Sequence, residues 1–227
     1  MLNLHNPVLR AFGRRIGVSQ TINKVWYSQR GYEPAFGREL LGCIRLGDCV
    51  WDVGANVGLY TREFAARVGL SGRVVAVEPI ASTFARLRAE TSALPQVECV
   101  QVALGAREEN LTVTTVPESP CNTLINRCPA GTGEPVRITT ATKLIEAGCP
   151  PPTVLKIDVE GYEEEVLWGF RDTLRDGPCR CVFLEVHYRL LEARGFLRAP
   201  SRVVSLLQDA GLRVHWIDPS HLSAKRG

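Results

Sequence analysis

Apolar and polar positions alternate along this chain with two periods. From Gly47 onward, short apolar runs that end in glycine, proline or acid are followed by stretches with apolar residues at helical spacing. The run CVWDVG (49–54) predicts a short buried strand. Val57, Tyr60, Thr61, Phe64, Ala65 and Val68 then predict an amphipathic helix over 57–68. RVVAVEP (73–79) predicts a second strand, stopped by Pro79, and residues 81–93 a second helix, with Phe84, Ala85 and Leu87 set against Arg86, Arg88 and Glu90. VECVQVAL (97–104) predicts a third strand.

Residues 105–138 break this rhythm with Pro117, Pro120, Pro129 and Pro135 and a Gly131-Thr132-Gly133 stretch. Strand-like pieces at 111–116 and 135–139 predict a hairpin-like excursion with a mobile loop at 118–134. Beyond it come a helix near 140–147, the strand TVLKIDVEG (153–161), a helix at 163–170, the strand CVFLEVH (181–187), a helix at 201–210 and a last strand LRVHWID (212–218). Strands separated by helices imply parallel pairing with right-handed crossovers, hence an α/β, doubly wound, mostly parallel sheet. In such sheets a ligand sits beyond the carboxyl ends of the strands. Those ends carry Asp52 to Gly54, Glu78, Asp158 to Gly161 and Glu185 to His187. Residues 1–40, arginine-rich and weakly periodic, predict N-terminal helices acting as a lid ahead of the main domain at 41–227.

Composition narrows the class. The 227 residues are 45% hydrophobic and 22% charged with a net charge of +3, ordinary values for one globular core. No run of Lys and Arg interleaved with aromatics occurs, which disfavours nucleic acid as a partner. No apolar stretch approaches a membrane span. The N-terminal MLNLHNPVLRAFGRRIGV lacks the apolar block of a secretion signal, so the expected location is cytoplasmic. The eight cysteines include no C-x-x-C pair; burial as small apolar residues is expected, and no metal site is assigned to them.

DVGANVG (52–58) spaces Gly54 and Gly58 as G-x-x-x-G after a strand. A tight glycine corner lets a ligand approach the backbone. Asn56 occupies the place where a nicotinamide fingerprint wants glycine. Glu78, twenty residues beyond Gly58, stands where a carboxylate accepts both hydroxyls of an adenosine ribose. Taken singly, these are a tight turn and a solvated helix cap; together on successive strand ends they point to S-adenosylmethionine.

DVGANVGLYT, VVAVEP, LKIDVEGYEEEVLWGF (155–170) and FLEVH (183–187) resemble the FkbM-type methyltransferases, a class I S-adenosylmethionine-dependent family, over about 32–218. The string KIDVEGYE is the most specific part. The resemblance implies a Rossmann-like class I fold and, as the usual reaction, O-methylation of sugars or of polyketide and peptide natural products. It implies that Asp52, Gly54, Asn56 and Gly58 surround the methionine part of the cofactor and that Glu78 holds the ribose, with Ala55 and Pro79 as further cofactor contacts. It further implies that Gln101, Val102 and Ala103 lie near the adenine and that Glu33 of the YEP segment reaches the methionine end. Class I folds close with an antiparallel seventh strand; here 212–218 is followed only by PSHLSAKRG, so that strand is expected to be missing or replaced.

An alcohol acceptor needs a base as its oxygen attacks. The candidates at the strand ends are Asp158, Glu160, Glu185 and His187, with Lys156 on the same strand face as Asp158 to neutralise or orient it. Asp158 also counts as a cofactor contact. Its structural alternative is a helix cap, and that of His187 is a packed histidine with one satisfied nitrogen. Asp158, Glu160 and Glu185 offer hard oxygens to Mg²⁺, but a metal is not favoured. Tyr162 and Tyr188 are candidates for an acceptor pocket. The leading expectation is thus an O-methyltransferase acting on a small-molecule hydroxyl. Its rivals are a non-catalytic nucleoside-binding Rossmann protein and a methyltransferase acting on RNA or protein.

Overall fold

The computed structural model describes residues 34–114, 133–193, 195 and 198–227. The chain divides into two units, Met1–Gly37 and Arg38–Gly227. Of the first, the described part is 34–37, the opening turn of helix α1 (Pro34–Cys43). Residues 1–33, with the expected lid helices and Glu33, lie outside the described residues, as do 118–132 of the expected mobile loop.

The second unit is built on β1 (Cys49–Val53), α2 (Leu59–Val68), β2 (Arg73–Val77), α3 (Ala81–Thr91) and β3 (Val97–Val100), followed by β4 (Ala103–Leu104), β5 (Glu109–Val113) and β6 (Glu134–Thr139). There follow α4 (Ala141–Glu146), β7 (Val154–Ile157), α5 (Glu163–Asp176), β8 (Cys181–Glu185), α6 (Tyr188–Ala193), α7 (Ala199–Asp209), β9 (Arg213–Trp216) and β10 (His221–Lys225). The seven-stranded sheet has the order β3-β2-β1-β7-β8-β10-β9. Its first five strands are parallel. β1 lies between β2 and β7 with every residue buried, which is why its sequence, Asp52 apart, is apolar rather than alternating. Trp51 packs edge-on against Phe170 of α5 at 5.3 Å and donates its indole N–H to the Pro150 carbonyl at 2.9 Å. The polar tip of the largest core ring is thereby satisfied. No helix among the described residues is long and apolar enough to cross a membrane.

Three expectations are corrected. The antiparallel closing strand is present: β10 pairs antiparallel with both β8 and β9 and lies between them. HLSAK carries no β-branched residue, so propensity hides it. Context supplies the strand, because Leu222 and Ala224 are buried in the core and Ser223 donates to Glu39 of α1 at 2.8 Å. The expected strand at 97–104 is two strands. β3 stops at Val100, and β4 leaves for a second sheet of order β4-β6-β5. The helix expected at 163–170 runs on to Asp176, and α6 was not signalled by periodicity.

Candidate active site

The carboxyl ends of β1, β2 and β7 open onto one cavity, walled on a further side by β4. Its lining includes Gly54 and Asn56 after β1 and Glu78 and Pro79 after β2. Val102, Ala103 and Leu104 form the β4 side, and Asp158, Glu160 and Tyr162 follow β7.

The glycine corner is tighter than a ligand alone demands. Gly54 has φ +78°, and a Cβ placed there would stand 1.8 Å from the backbone oxygen of Asp158. The same two loops are joined by the Asp158 N–H donating to the Val53 carbonyl at 3.0 Å. Gly54 therefore locks the β1 and β7 ends together while lining the cavity. Gly58, φ +85°, faces Leu87 of α3 across 2.9 Å for the same imagined Cβ and is not a lining residue. Asn56 and Glu160 are the two described non-glycine residues with positive φ, both at 51°. Left-handed backbone at a non-glycine residue costs about 1–2 kcal/mol and concentrates at functional loops.

Glu78 is buried at the cavity wall. Its Oε2 accepts the Asn56 N–H at 3.1 Å and its Oε1 the Ile80 N–H at 3.0 Å. Burial nonetheless pushes its pKa up to about 7. Each oxygen keeps a second lone pair for an incoming hydroxyl. Asp52, expected near the methionine moiety, is instead fully buried and turned inward. Its Oδ2 accepts from Thr61 Oγ1 at 2.7 Å, and its Oδ1 lies 3.2 Å from Lys156 Nζ. Ala55 is also buried, against Ala76 and Leu87. Gln101 is exposed and stands outside the cavity lining, because the chain turns between β3 and β4 at that point.

Lys156 is enclosed. It bridges Asp52 and Asp158, the latter at 3.4 Å, and donates to the Gly54 carbonyl at 3.2 Å. Burial disfavours its charge, but the Asp52 and Asp158 carboxylates outweigh that and raise its pKa. It is a permanent cation tying β1 to β7. On the other flank His187 Nδ1 meets Glu163 Oε1 at 2.7 Å. Its Nε2 lies 3.3 Å from Glu160, 3.6 Å from Glu185 and 3.8 Å from Asp158. Burial pulls the imidazole pKa down; the Glu163 hydrogen bond and charge, with Glu160 and Glu185, pull it further up, to about 9. His187 is thus a cation at neutral pH, surrounded by acids.

Asp158, Glu185 and His187 bring potential ligand atoms within 4.8 Å of one another. A protonated imidazole offers no lone pair, and Mg²⁺ prefers oxygen ligands throughout. The acids already have their counter-charge in His187, so this donor set does not fit Mg²⁺. The lining suits a nucleoside sulfonium: a buried carboxylate at Glu78 with lone pairs for hydroxyls, an apolar wall at Ile80, Val102 and Leu104, and carboxylates at Asp158 and Glu160.

The FkbM methyltransferase domain model matches residues 52–214. The chain belongs to that family. This methyltransferase is 26% identical over 196 residues to the hexuronic acid methyltransferase AglP of Haloferax volcanii, covering 85% of this chain and 75% of the relative. Among solved structures it is similar to the FkbM methyltransferase of Methylobacillus flagellatus, with 18% identity and a TM-score of 0.52 over 81% of this chain. It spans only 45% of that one. It is also similar to the fibrillarin of Aeropyrum pernix with natively bound S-adenosylmethionine, with 15% identity and a TM-score of 0.50, covering 79% and 66% of the two chains. These likenesses establish the class I S-adenosylmethionine-dependent methyltransferase fold.

In this methyltransferase the strand ends bring Gly54, Asn56, Glu78, Pro79, Val102, Ala103 and Asp158 to the cavity. Glu185 and His187 gather beside Asp158, and Lys156 stands beneath it. Sequence reasoning missed Glu163, the buried partner of His187, and the cavity side chains Ile80, Leu104 and Val159. The acidic run Glu163-Glu164-Glu165 at the start of α5 was the available signal for the first. Tyr162 lines the cavity with its hydroxyl donating to Glu109 at 3.2 Å. Tyr188 is half-exposed and stacks on Trp216 at 6.3 Å.

Proposed function

We propose that this methyltransferase uses S-adenosylmethionine to O-methylate a hydroxyl of a small molecule, a sugar or a sugar-bearing metabolite, with Asp158 as the base. The position of Asp158 carries the reading: it borders the cavity and at the same time lies within ion-pair reach of the cations Lys156 and His187. When bound, S-adenosylmethionine supplies a methyl group on a sulfonium whose neutral thioether leaves with the bonding pair. Glu78 receives the ribose hydroxyls, and the Val102–Leu104 wall flanks the base. Asp158 accepts the acceptor's proton as the oxygen bonds to the methyl carbon. Lys156 lies 3.4 Å from Asp158 Oδ2 and His187 3.8 Å from Oδ1, and the two cations together fix the orientation of the carboxylate at the cavity edge. His187 keeps its own proton below about pH 9 and acts on Asp158 and Glu160 rather than on the acceptor.

The sugar as acceptor is supported by the named activity of the AglP relative. The exposed faces of the Tyr188–Trp216 pair, next to His187 in the chain, offer a surface for a pyranose ring.

The test is a panel of sugars and glycosides incubated with purified protein and labelled S-adenosylmethionine. Asp158→Asn is expected to lower kcat by about 10²-fold or more with S-adenosylhomocysteine affinity within a few-fold of wild type. Glu78→Ala is expected to weaken that affinity instead. A kcat that climbs steadily to pH 9 and survives in Asp158→Asn would transfer the role of base to His187.

A further inference from the structure

Most of the described cysteines are buried or half-buried thiols with no sulfur partner. Cys49 and Cys179 are typical: burial pushes both pKa values up to about 12, and such thiols are poor nucleophiles. Cys43 and Cys181 differ. Their sulfurs lie 3.5 Å apart, although the residues are 138 positions apart in the chain. Cys43 is the last residue of α1 and is half-buried; Cys181 is the first residue of β8 and is buried.

Two cations flank the pair. Arg180 donates to the Cys43 carbonyl at 2.7 Å and pairs with Asp48 at 2.6 Å. Lys225 is the register partner of Cys181 on β10 and pairs with Glu39 of α1 at 2.8 Å. Glu39 and Asp48 are the acids facing the same corner. The hydrogen bond from the Cys181 thiol lowers the Cys43 pKa to about 6 against the opposing effect of burial, with Lys225 and Arg180 adding to the drop and Glu39 resisting it. The same contact holds the Cys181 thiol in its protonated form. Cys43 is therefore the half-buried sulfur biased toward the thiolate, and Cys181 is the thiol held against it. That is the division of labour between an attacking and a resolving cysteine.

We propose that Cys43 and Cys181 are a modification site, oxidised by hydrogen peroxide to a disulfide that joins the end of α1 to the start of β8. The Cys43 thiolate attacks one peroxide oxygen; an S–O bond forms, the O–O bond breaks and hydroxide leaves. Cys181 then attacks the Cys43 sulfenic sulfur. The S–S bond forms, the S–O bond breaks, and the departing oxygen leaves as water with the Cys181 proton. The two sulfurs are oxidised by two electrons in total, and one peroxide is reduced to water and hydroxide. Closing the sulfurs from contact to bonding distance takes roughly 1.5 Å, which rotation of the Cys43 side chain at a helix end can supply.

The experiment treats the reduced full chain with one to two equivalents of hydrogen peroxide. Remaining thiols are then alkylated in denaturant, and the products are mapped by mass spectrometry. A peptide linked through Cys43 and Cys181 is expected, with the other six cysteines alkylated. The oxidised protein should melt about 5 °C or more higher than the reduced protein, reversibly with dithiothreitol, because the crosslink closes a long loop. In Cys181→Ser, oxidation is expected to stop at a sulfenic acid on Cys43, captured by dimedone. The proposal is overturned if wild-type Cys43 stays alkylatable at that dose, if the disulfide formed is to another cysteine, or if Cys181→Ser yields no dimedone adduct at Cys43.

Discussion

Burial lifts the Glu78 carboxyl to about 7 even though the Asn56 and Ile80 N–H groups favour its charged form. The sign follows from linkage: the folded chain holds this proton more tightly than the unfolded one, so the stability it contributes is present below about pH 4.5 and is lost as pH rises through 7. On the proposed reading, cofactor hydroxyls donate to the ionised form. Calorimetry with S-adenosylhomocysteine should therefore find affinity about tenfold weaker at pH 6 than at pH 8, and Glu78→Ala should abolish the slope. His187 obeys the same linkage in a higher window. Its folded pKa of about 9 stands above the ordinary 6.5, so its stabilisation is complete below pH 6.5 and disappears as pH rises through 9. The melting midpoint of the wild type should fall across that interval, and His187→Gln should start lower and stay flat. Both residues stood out in the sequence because each lies at or just beyond a strand end. Asp52 and Gln101 stand outside the cavity lining for a physical reason: a position near a strand end fixes the neighbourhood of a side chain, while its direction depends on strand parity and on the turn that follows. Asp52 falls on the Thr61–Lys156 side, and Gln101 sits where the chain swings toward the second sheet.

At the scale of elements, the junction of the β1 and β7 loops decides whether the site exists. Gly54→Ala would drive a methyl group into the Asp158 carbonyl at a positive φ, and backbone cannot yield as a side chain can. A loss of roughly 3 kcal/mol or more is expected in denaturant unfolding. Gly58→Ala crowds the terminal methyl of Leu87, with Thr91 and Thr61 at ordinary contact distance, and should cost less, about 1–2 kcal/mol from φ alone. Equal losses would show that the two loops are not locked together as the geometry requires. The glycine spacing and the strand-helix alternation were readable because each element carries its own period. β10 was not, since HLSAK becomes a strand only through neighbours on both sides. The break between β3 and β4 was hidden for a related reason: in VECVQVAL the polar Glu98 and Gln101 read as outward positions of one strand, although the chain changes sheet at Gln101.

For the whole molecule, the two sheets divide the work. The large sheet delivers Glu78, Asp158 and His187, while the small one supplies β4 as a cavity wall and an apolar cluster in which Ala103, Val136 and Ile138 pack with Ile80 and Tyr162. α5 is pressed against this junction so closely that a Cβ on Gly169 would lie 2.2 Å from the Gly105 oxygen. The class of fold was legible from alternation alone, whereas this junction depends on long-range contacts that no local pattern records.

The placement of β10 also has a bearing on how the chain is made. β8 is synthesised well before the strand that covers its flank, so its hydrogen-bonding groups beyond β7 wait uncovered while α6, α7 and β9 emerge. Through that interval the nascent protein carries an open sheet margin of the kind that recruits neighbouring chains. A chain truncated before His221 would keep that margin open and be inclined to aggregate, whatever the condition of its cofactor pocket.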